Sequence, residues 1–265
     1  MRKSSEHRFM LLRWQLLGII SFILLWEIGA LLVKSDLILP SPARVAKALY
    51  QLFGKNIFWL SIGGSFLRVF EAFILSGLVG LATGTISGIK PQARAFLNPF
   101  IVGIRATPVM ALILVAMFWF PAWQVPVFSA ILMAFPVMHT STEAGVHAVD
   151  KKLLEMSTFF NVPSSFIFWR LRLPSALPYI LSGAKNALGL SWKVVVAGEV
   201  LSQPRMALGT GMQEARLSIE TATVFAWAII TIFLCGLSEY LFGLLADRLS
   251  ARFQQSSQEE DQDLS

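Results

Sequence analysis

Residues 14–33 read WQLLGIISFILLWEIGALLV, twenty positions with one charge, Glu27. A helix needs about 20 apolar residues to cross the hydrocarbon core of a bilayer. In water such a helix would expose apolar surface on every side, so the run predicts a transmembrane helix. The rest of the chain agrees. Hydrophobic residues make up 55% of its 265 positions and charged residues 14%. Soluble domains carry about a quarter charged residues. At this length the chain suits one membrane domain. The first 26 residues have a basic start and an apolar run, as a secretory signal does. No small-residue cleavage site closes the run, so it is read as a retained first span.

Five further apolar stretches follow. The predicted spans are 14–33, 66–89, 96–120, 125–142, 177–201 and 224–245. Proline supports two boundaries, because it lacks an N–H and disfavours helix at the preceding residue: Lys90-Pro91 ends the second span and Pro121 the third. The stretch holding Lys34, Asp36, Pro40, Pro42, Arg44 and Lys47 is too polar to span. In the second span Ser76, Gly80, Gly84 and Gly88 recur every fourth residue, a small-residue face that lets a neighbouring helix approach closely. The domain reading is a cytoplasmic N-terminus at 1–13, a transmembrane domain at 14–247 and a cytoplasmic tail at 248–265. The acidic, apolar-poor end QQSSQEEDQDLS predicts disorder.

Net charge is +6. The Lys and Arg residues lie between apolar runs and form no continuous basic face, which argues against a nucleic-acid partner. They set topology instead, because cytoplasmic loops collect positive charge. Arg2, Lys3, Arg8 and Arg13 precede the first span, Lys90 and Arg94 follow the second, Lys151, Lys152, Arg170 and Arg172 follow the fourth, and Arg248 and Arg252 follow the sixth. Six crossings put all four groups on one side, with both termini in the cytoplasm. Lys34, Arg44, Lys47 and Lys55 on the opposite side weaken this bias without reversing it. The single Cys235 excludes a disulfide framework.

The polar segment 143–172 is long for a connection. Asp150 predicts a helix N-cap. Leu153, Leu154, Met156, Phe159 and Phe160 have helical apolar spacing. Asn161, followed by Pro163, predicts a left-handed C-terminal cap. Ser164 or Ser165 then predicts the cap of a second short helix carrying Phe166, Phe168 and Trp169. Two short helices with an apolar-aromatic face either lie in the lipid interface or dock on a protein. The residues alone leave both open.

This segment resembles the cytoplasmic EAA loop of permease subunits in ABC importers. Glu155 stands at the Glu, Met156 and Ser157 at the two alanines, Asn161 at the Gly, and Leu171, Leu173-Pro174 and Pro178 at the apolar-Leu-Pro-Pro end. Asn is the next best residue to Gly at a left-handed position. The similarity extends along the chain through Leu39-Pro40-Ser41-Pro42, the Ser65–Phe73 stretch, Arg105-Ala106-Thr107-Pro108 and the run from Ala187 through Trp192 and Lys193 to Glu199. It points to the branch that imports nitrate, sulfonates, taurine, bicarbonate and thiamine precursors. The resemblance implies an all-α integral membrane fold of about six transmembrane helices, the type I importer permease, in a bacterial inner membrane. It also implies a permease homodimer working with ABC ATPase subunits and a periplasmic or lipoprotein substrate-binding protein. Glu155, Met156, Phe159, Phe160, Asn161, Pro163, Ser164 and Phe166 would then couple the permease to the ATPase.

Ionisable residues at membrane depth are costly and mark pathways or partners. Arg105, Lys193, Trp192 beside it and Glu199 are the pathway candidates, and two cations at depth favour an anionic solute. The alternative is that each cation pairs with a carboxylate such as Glu199 or Glu27. Glu71 is expected to pair with Arg68, three residues earlier. Lys185 is expected to snorkel, and Glu27 and Glu239 have no obvious local partner. The sequence has no G-x-x-x-x-G-K-[ST] loop for ATP and no metal-ligand spacing. It is read as a transport subunit with no cofactor or catalytic group, with ATP hydrolysis on a separate chain. The alternatives are an ion-coupled secondary transporter, against which no internal repeat is evident, and a membrane-embedded enzyme, which lacks clustered nucleophile, base or metal ligands.

Overall fold

The computed structural model of the chain describes residues 2–263, with side chains described at 10 and 13–250. Eleven helices follow one another: α1 (Arg2–Val33), α2 (Pro42–Phe53), α3 (Asn56–Ile89), α4 (Pro91–Ala106), α5 (Val109–Ala116), α6 (Val125–His147), α7 (Lys151–Phe159), α8 (Ser164–Ile167), α9 (Leu173–Ser202), α10 (Leu208–Leu217) and α11 (Thr221–Asp263). A π-helical turn, Phe168–Arg172, joins α8 to α9. The described residues contain no strand.

Four helices are long and apolar enough to cross a bilayer: α3, α6, and the portions Arg13–Val33 of α1 and Thr221–Ser250 of α11. The α4–α5 pair, bent by 95° at its break, makes a fifth if the two helices form one broken span rather than a re-entrant loop. α9, 30 residues long, is long enough to cross but falls short of that apolar criterion. It is less apolar because it carries Lys185, Asn186, Lys193 and Glu199. Its buried face meets protein rather than lipid, so it need not be apolar all round.

α6 is the central element, packed along α3 on one side and α9 on the other. Glycine permits both approaches. A Cβ at Gly84 of α3 would lie 2.6 Å from the His139 carbonyl oxygen, and one at Gly88 would lie 2.6 Å from Val146 Cβ. The expected small-residue face of the second span is therefore its contact with α6. On the other side, a Cβ at Gly145 of α6 would lie 2.9 Å from Ala176 Cα of α9. α1 stands apart, tethered where Trp26 Nε1 donates to the Pro40 carbonyl at 3.0 Å and its ring meets Phe225 at 5.8 Å.

Two expectations require correction. The third span is broken at Thr107-Pro108 rather than continuous over 96–120. Proline removes the N–H and pushes its predecessor out of the helical region, and Thr107 has ψ 126° and Pro108 ψ 128°. The second span starts at Asn56, ten residues before the predicted start. The polar stretch after the first span is not among the spans, as expected; it holds a short helix, α2, with Pro42 at its start, and the Ser41 hydroxyl accepts from the Arg44 N–H at 3.4 Å. α2 buries Val45, Ala48 and Leu52. Among the described residues α11 continues through Asp263. Extending an existing helix avoids the nucleation cost, and Gln, Glu, Arg and Ala favour it.

Candidate functional site

The segment between α6 and α9 folds as its caps dictate. The Asp150 carboxylate accepts from the Lys152 N–H at 2.9 Å and starts α7. Asn161 ends it with φ 50°. The Val162 N–H reaches back to the Ser157 carbonyl at 2.9 Å, closing the turn that a left-handed residue makes possible. Pro163 flanks α8 as its cap residue with no side-chain hydrogen bond, so neither Ser164 nor Ser165 caps the second helix. Proline's fixed φ and missing N–H serve that position without help.

These turns leave an apolar surface unpaired within the chain. Met156 is 52% exposed, Phe159 81%, Phe160 68% and Phe166 55%. Glu155, Asn161, Pro163 and Ser164 are exposed as well. Inward-facing Ser157 is buried, and its hydroxyl donates to the Leu153 carbonyl at 2.7 Å. Phe159 and Phe160 meet edge to face at 5.4 Å, as do Phe168 and Trp169. The Arg170 guanidinium sits 5.7 Å from the Phe166 ring centre. All eight residues singled out from the sequence therefore lie on one exposed connection.

The pathway candidates divide differently. Glu199 is fully buried, and both carboxylate oxygens are engaged. Arg68 of α3 pairs with Oε1 at 2.9 Å. The Ser65 hydroxyl donates at 2.8 Å and in turn accepts from the Leu208 N–H at 2.9 Å. The Gly209 N–H donates to Oε2 at 3.1 Å. Arg68 also donates to the carbonyls of Arg205 at 3.0 Å and Met206 at 3.3 Å. Those bonds hold a loop in which Gln203 and Met206 both have positive φ. Left-handed backbone costs about 1–2 kcal/mol per residue, and this cluster offsets it. Glu199 thus fastens α3, α9 and α10 together.

Arg68 consequently pairs with Glu199 and not with Glu71, the partner that helical spacing suggested; Glu71 is exposed. Trp192 is buried at 1% exposure against α3, its ring 6.4 Å from that of Phe66. Arg105 and Lys193 are exposed and have no ion-pair partner among the described residues.

One cluster gave no sequence signal. Glu143 near the end of α6 pairs with Arg94 of α4 at 2.6 Å and lies 3.4 Å from His139 Nε2. His139 Nδ1 is 3.0 Å from the Thr83 hydroxyl of α3. The His139–Glu143 spacing is one helical turn, but Arg94 and Thr83 become neighbours only through packing.

The sequence profile of binding-protein-dependent transport system inner membrane components matches residues 76–251. The chain belongs to this family. The matched region takes in the exposed connection, α9 and Glu199, while Ser65 and Arg68 lie just before it. The taurine transport system permease protein TauC of Escherichia coli (strain K12) is 28% identical over 231 residues, 85% of this chain and 84% of that protein. The bicarbonate transport system permease protein CmpB of Synechococcus elongatus is 26% identical over 250 residues, 90% of this chain and 87% of that protein. A solved structure of the MetNI methionine ABC transporter in inward facing conformations aligns with TM-score 0.63 at 16% identity, covering 76% of this chain and 99% of that one. The chain is thus an inner-membrane ABC transporter permease with the type I importer fold. Within this permease, Asn161 holds φ 50°, a backbone conformation that favours glycine.

Proposed function

We propose that this permease forms the route for a small solute bearing an anionic group, and that ATP hydrolysis on separate ABC ATPase subunits drives import. The observation that carries this reading is the exposed apolar connection between α6 and α9, built from Met156, Phe159, Phe160 and Phe166. An exposed patch of this kind marks a contact surface. Lys and Arg flank the same ends of the spans, which supports a cytoplasmic position for this connection, with both termini on that side. Leu153, Met156 and Phe160 share a helix face and suit a groove on the ATPase, and Glu155 suits a basic rim. A second copy of the chain completes the route, and an external binding protein delivers the solute.

The anionic character rests on Arg105 and Lys193, cations exposed on membrane-spanning helices without a carboxylate partner among the described residues. The two similar permeases are named for taurine and bicarbonate, both of which carry an anionic group. Uptake into vesicles with and without the ATPase subunits tests the drive. Import that requires both the ATPase and ATP is expected, whereas solute uptake under an ion gradient in permease-only vesicles would make the protein an ion-coupled carrier.

A further inference from the structure

α9 and α11 run past each other in a register that brings four polar groups together. A Cβ at Gly243 of α11 would lie 3.7 Å from Lys185 Nζ of α9. One turn on, the Glu239 carboxylate of α11 rests on Gly189 of α9, where a Cβ would lie 3.0 Å from the carboxyl carbon. One turn further along α11, Cys235 Sγ donates to Glu239 Oε1 at 3.7 Å. Lys185 and Lys193 therefore stand one helical turn to either side of the residue that seats Glu239. Both lysines are exposed, as are Ser182 and Asn186 on the same side of α9. Glu239 is half-buried. Neither lysine lies within 4 Å of the carboxylate, and no other carboxylate pairs with either among the described residues.

Two lysines and one glutamate leave this face of α9 with one uncompensated positive charge. Charge on a membrane-spanning helix is costly unless neutralised. A single negative charge completes the balance, two overshoot it, and a cation worsens it. We infer that Lys185, Lys193 and Glu239 form a subsite for one monoanionic group, a sulfonate, carboxylate or bicarbonate, with Glu239 setting the charge it accepts. The inference rests on the reading of this permease as an anion route and adds the magnitude of the charge. Gly189 is part of the site, since any side chain there would displace the carboxylate.

Cys235 is the only cysteine in the chain and a native reporter beside the site. The permease with its ATPase, in nanodiscs of phosphatidylcholine, is labelled with N-ethylmaleimide at constant ionic strength. The probes are methanesulfonate and sulfate, close in shape and carrying one and two charges. Because this lipid has no net charge, protection comes from the free anion and not from an anionic headgroup; protection only after adding phosphatidylglycerol would overturn the solute subsite. Methanesulfonate is expected to slow labelling several-fold more than sulfate. Glu239→Gln raises the local charge by one and is expected to reverse that order, while Lys193→Gln abolishes protection. Equal protection by both anions, protection by neither, or an unchanged order in Glu239→Gln would overturn the subsite. Such a failure with ATP-dependent import intact overturns the subsite alone and leaves the importer reading standing.

Discussion

Arg68 and Glu199, 131 positions apart in sequence, meet at 2.9 Å and join the second and fifth spans to the α10 loop. Glu199 is fully buried, so its charge depends on this contact and on the Ser65 and Gly209 bonds. Removing one partner of a buried pair costs about 3–5 kcal/mol, because the other charge is left uncompensated. Arg68→Met is therefore expected to lower the midpoint of thermal aggregation in detergent sharply. Arg68→Met combined with Glu199→Gln should recover part of the loss. A single variant as stable as the parent would remove the fastening role.

Helix packing supplies a second expectation. Gly84 has no room for a side chain, with the His139 carbonyl 2.6 Å and Thr142 Cβ 2.7 Å from the Cβ position, whereas Gly77 has nothing within 4 Å. Overpacking a tight contact costs about 1–3 kcal/mol. Gly84→Val should destabilise the folded permease in detergent, and Gly77→Val on the same helix should not. Equal behaviour of the two would contradict the α3–α6 contact.

Topology yields a third. In a Cys235→Ser background, cysteines introduced at Lys90 and Arg94 should be labelled from the cytoplasmic side, and those at Pro121 and Arg205 from the outside. Labelling of Lys90 and Pro121 from the same face would contradict a bent α4–α5 span that crosses the membrane.

At the turn between α7 and α8, Asn161 has φ 50°. Gly adopts this region freely and Asn tolerates it, whereas a β-branched residue pays about 1–2 kcal/mol or more. Asn161→Gly should preserve ATP-dependent uptake. Asn161→Val should depress it several-fold while the permease still reaches the membrane. Normal uptake in the valine variant would mean that the turn does not set the geometry of coupling.

Local chemistry made part of this molecule legible from its sequence. Asp150, Asn161 and Pro163 govern their own neighbourhoods, so the short helices and the bend between them could be read directly. The glycine face of the second span was equally plain, because spacing alone fixes which side those residues share. Long-range pairing was not. Arg68 has an acidic residue one turn away in Glu71, yet the structure pairs it with Glu199, whose burial demands a cation more than exposed Glu71 does. The Arg94–Glu143–His139–Thr83 cluster and the seat that Gly189 gives Glu239 were invisible for the same reason. Pro108 stood in view, but whether it kinks or breaks a span depends on packing: α5 turns away to bury Ile113 and Ala116 beside Val125.

Coupling through the exposed connection is the central claim, and charge placed in its apolar surface tests it most directly. Phe160→Asp and Phe166→Asp alter side chains that are 68% and 55% exposed, so the permease fold should survive. Buried aromatic anchors carry most of the affinity in an interface, and rim charges much less. The measurement is co-purification of the tagged permease with its ATPase subunits, alongside ATP-dependent uptake. Both aspartate variants are predicted to reach the membrane, lose the ATPase and stop importing, while Glu155→Gln keeps the complex and imports more slowly. ATPase retention and normal uptake in both aspartate variants would contradict the account and leave the connection as a lipid-facing surface.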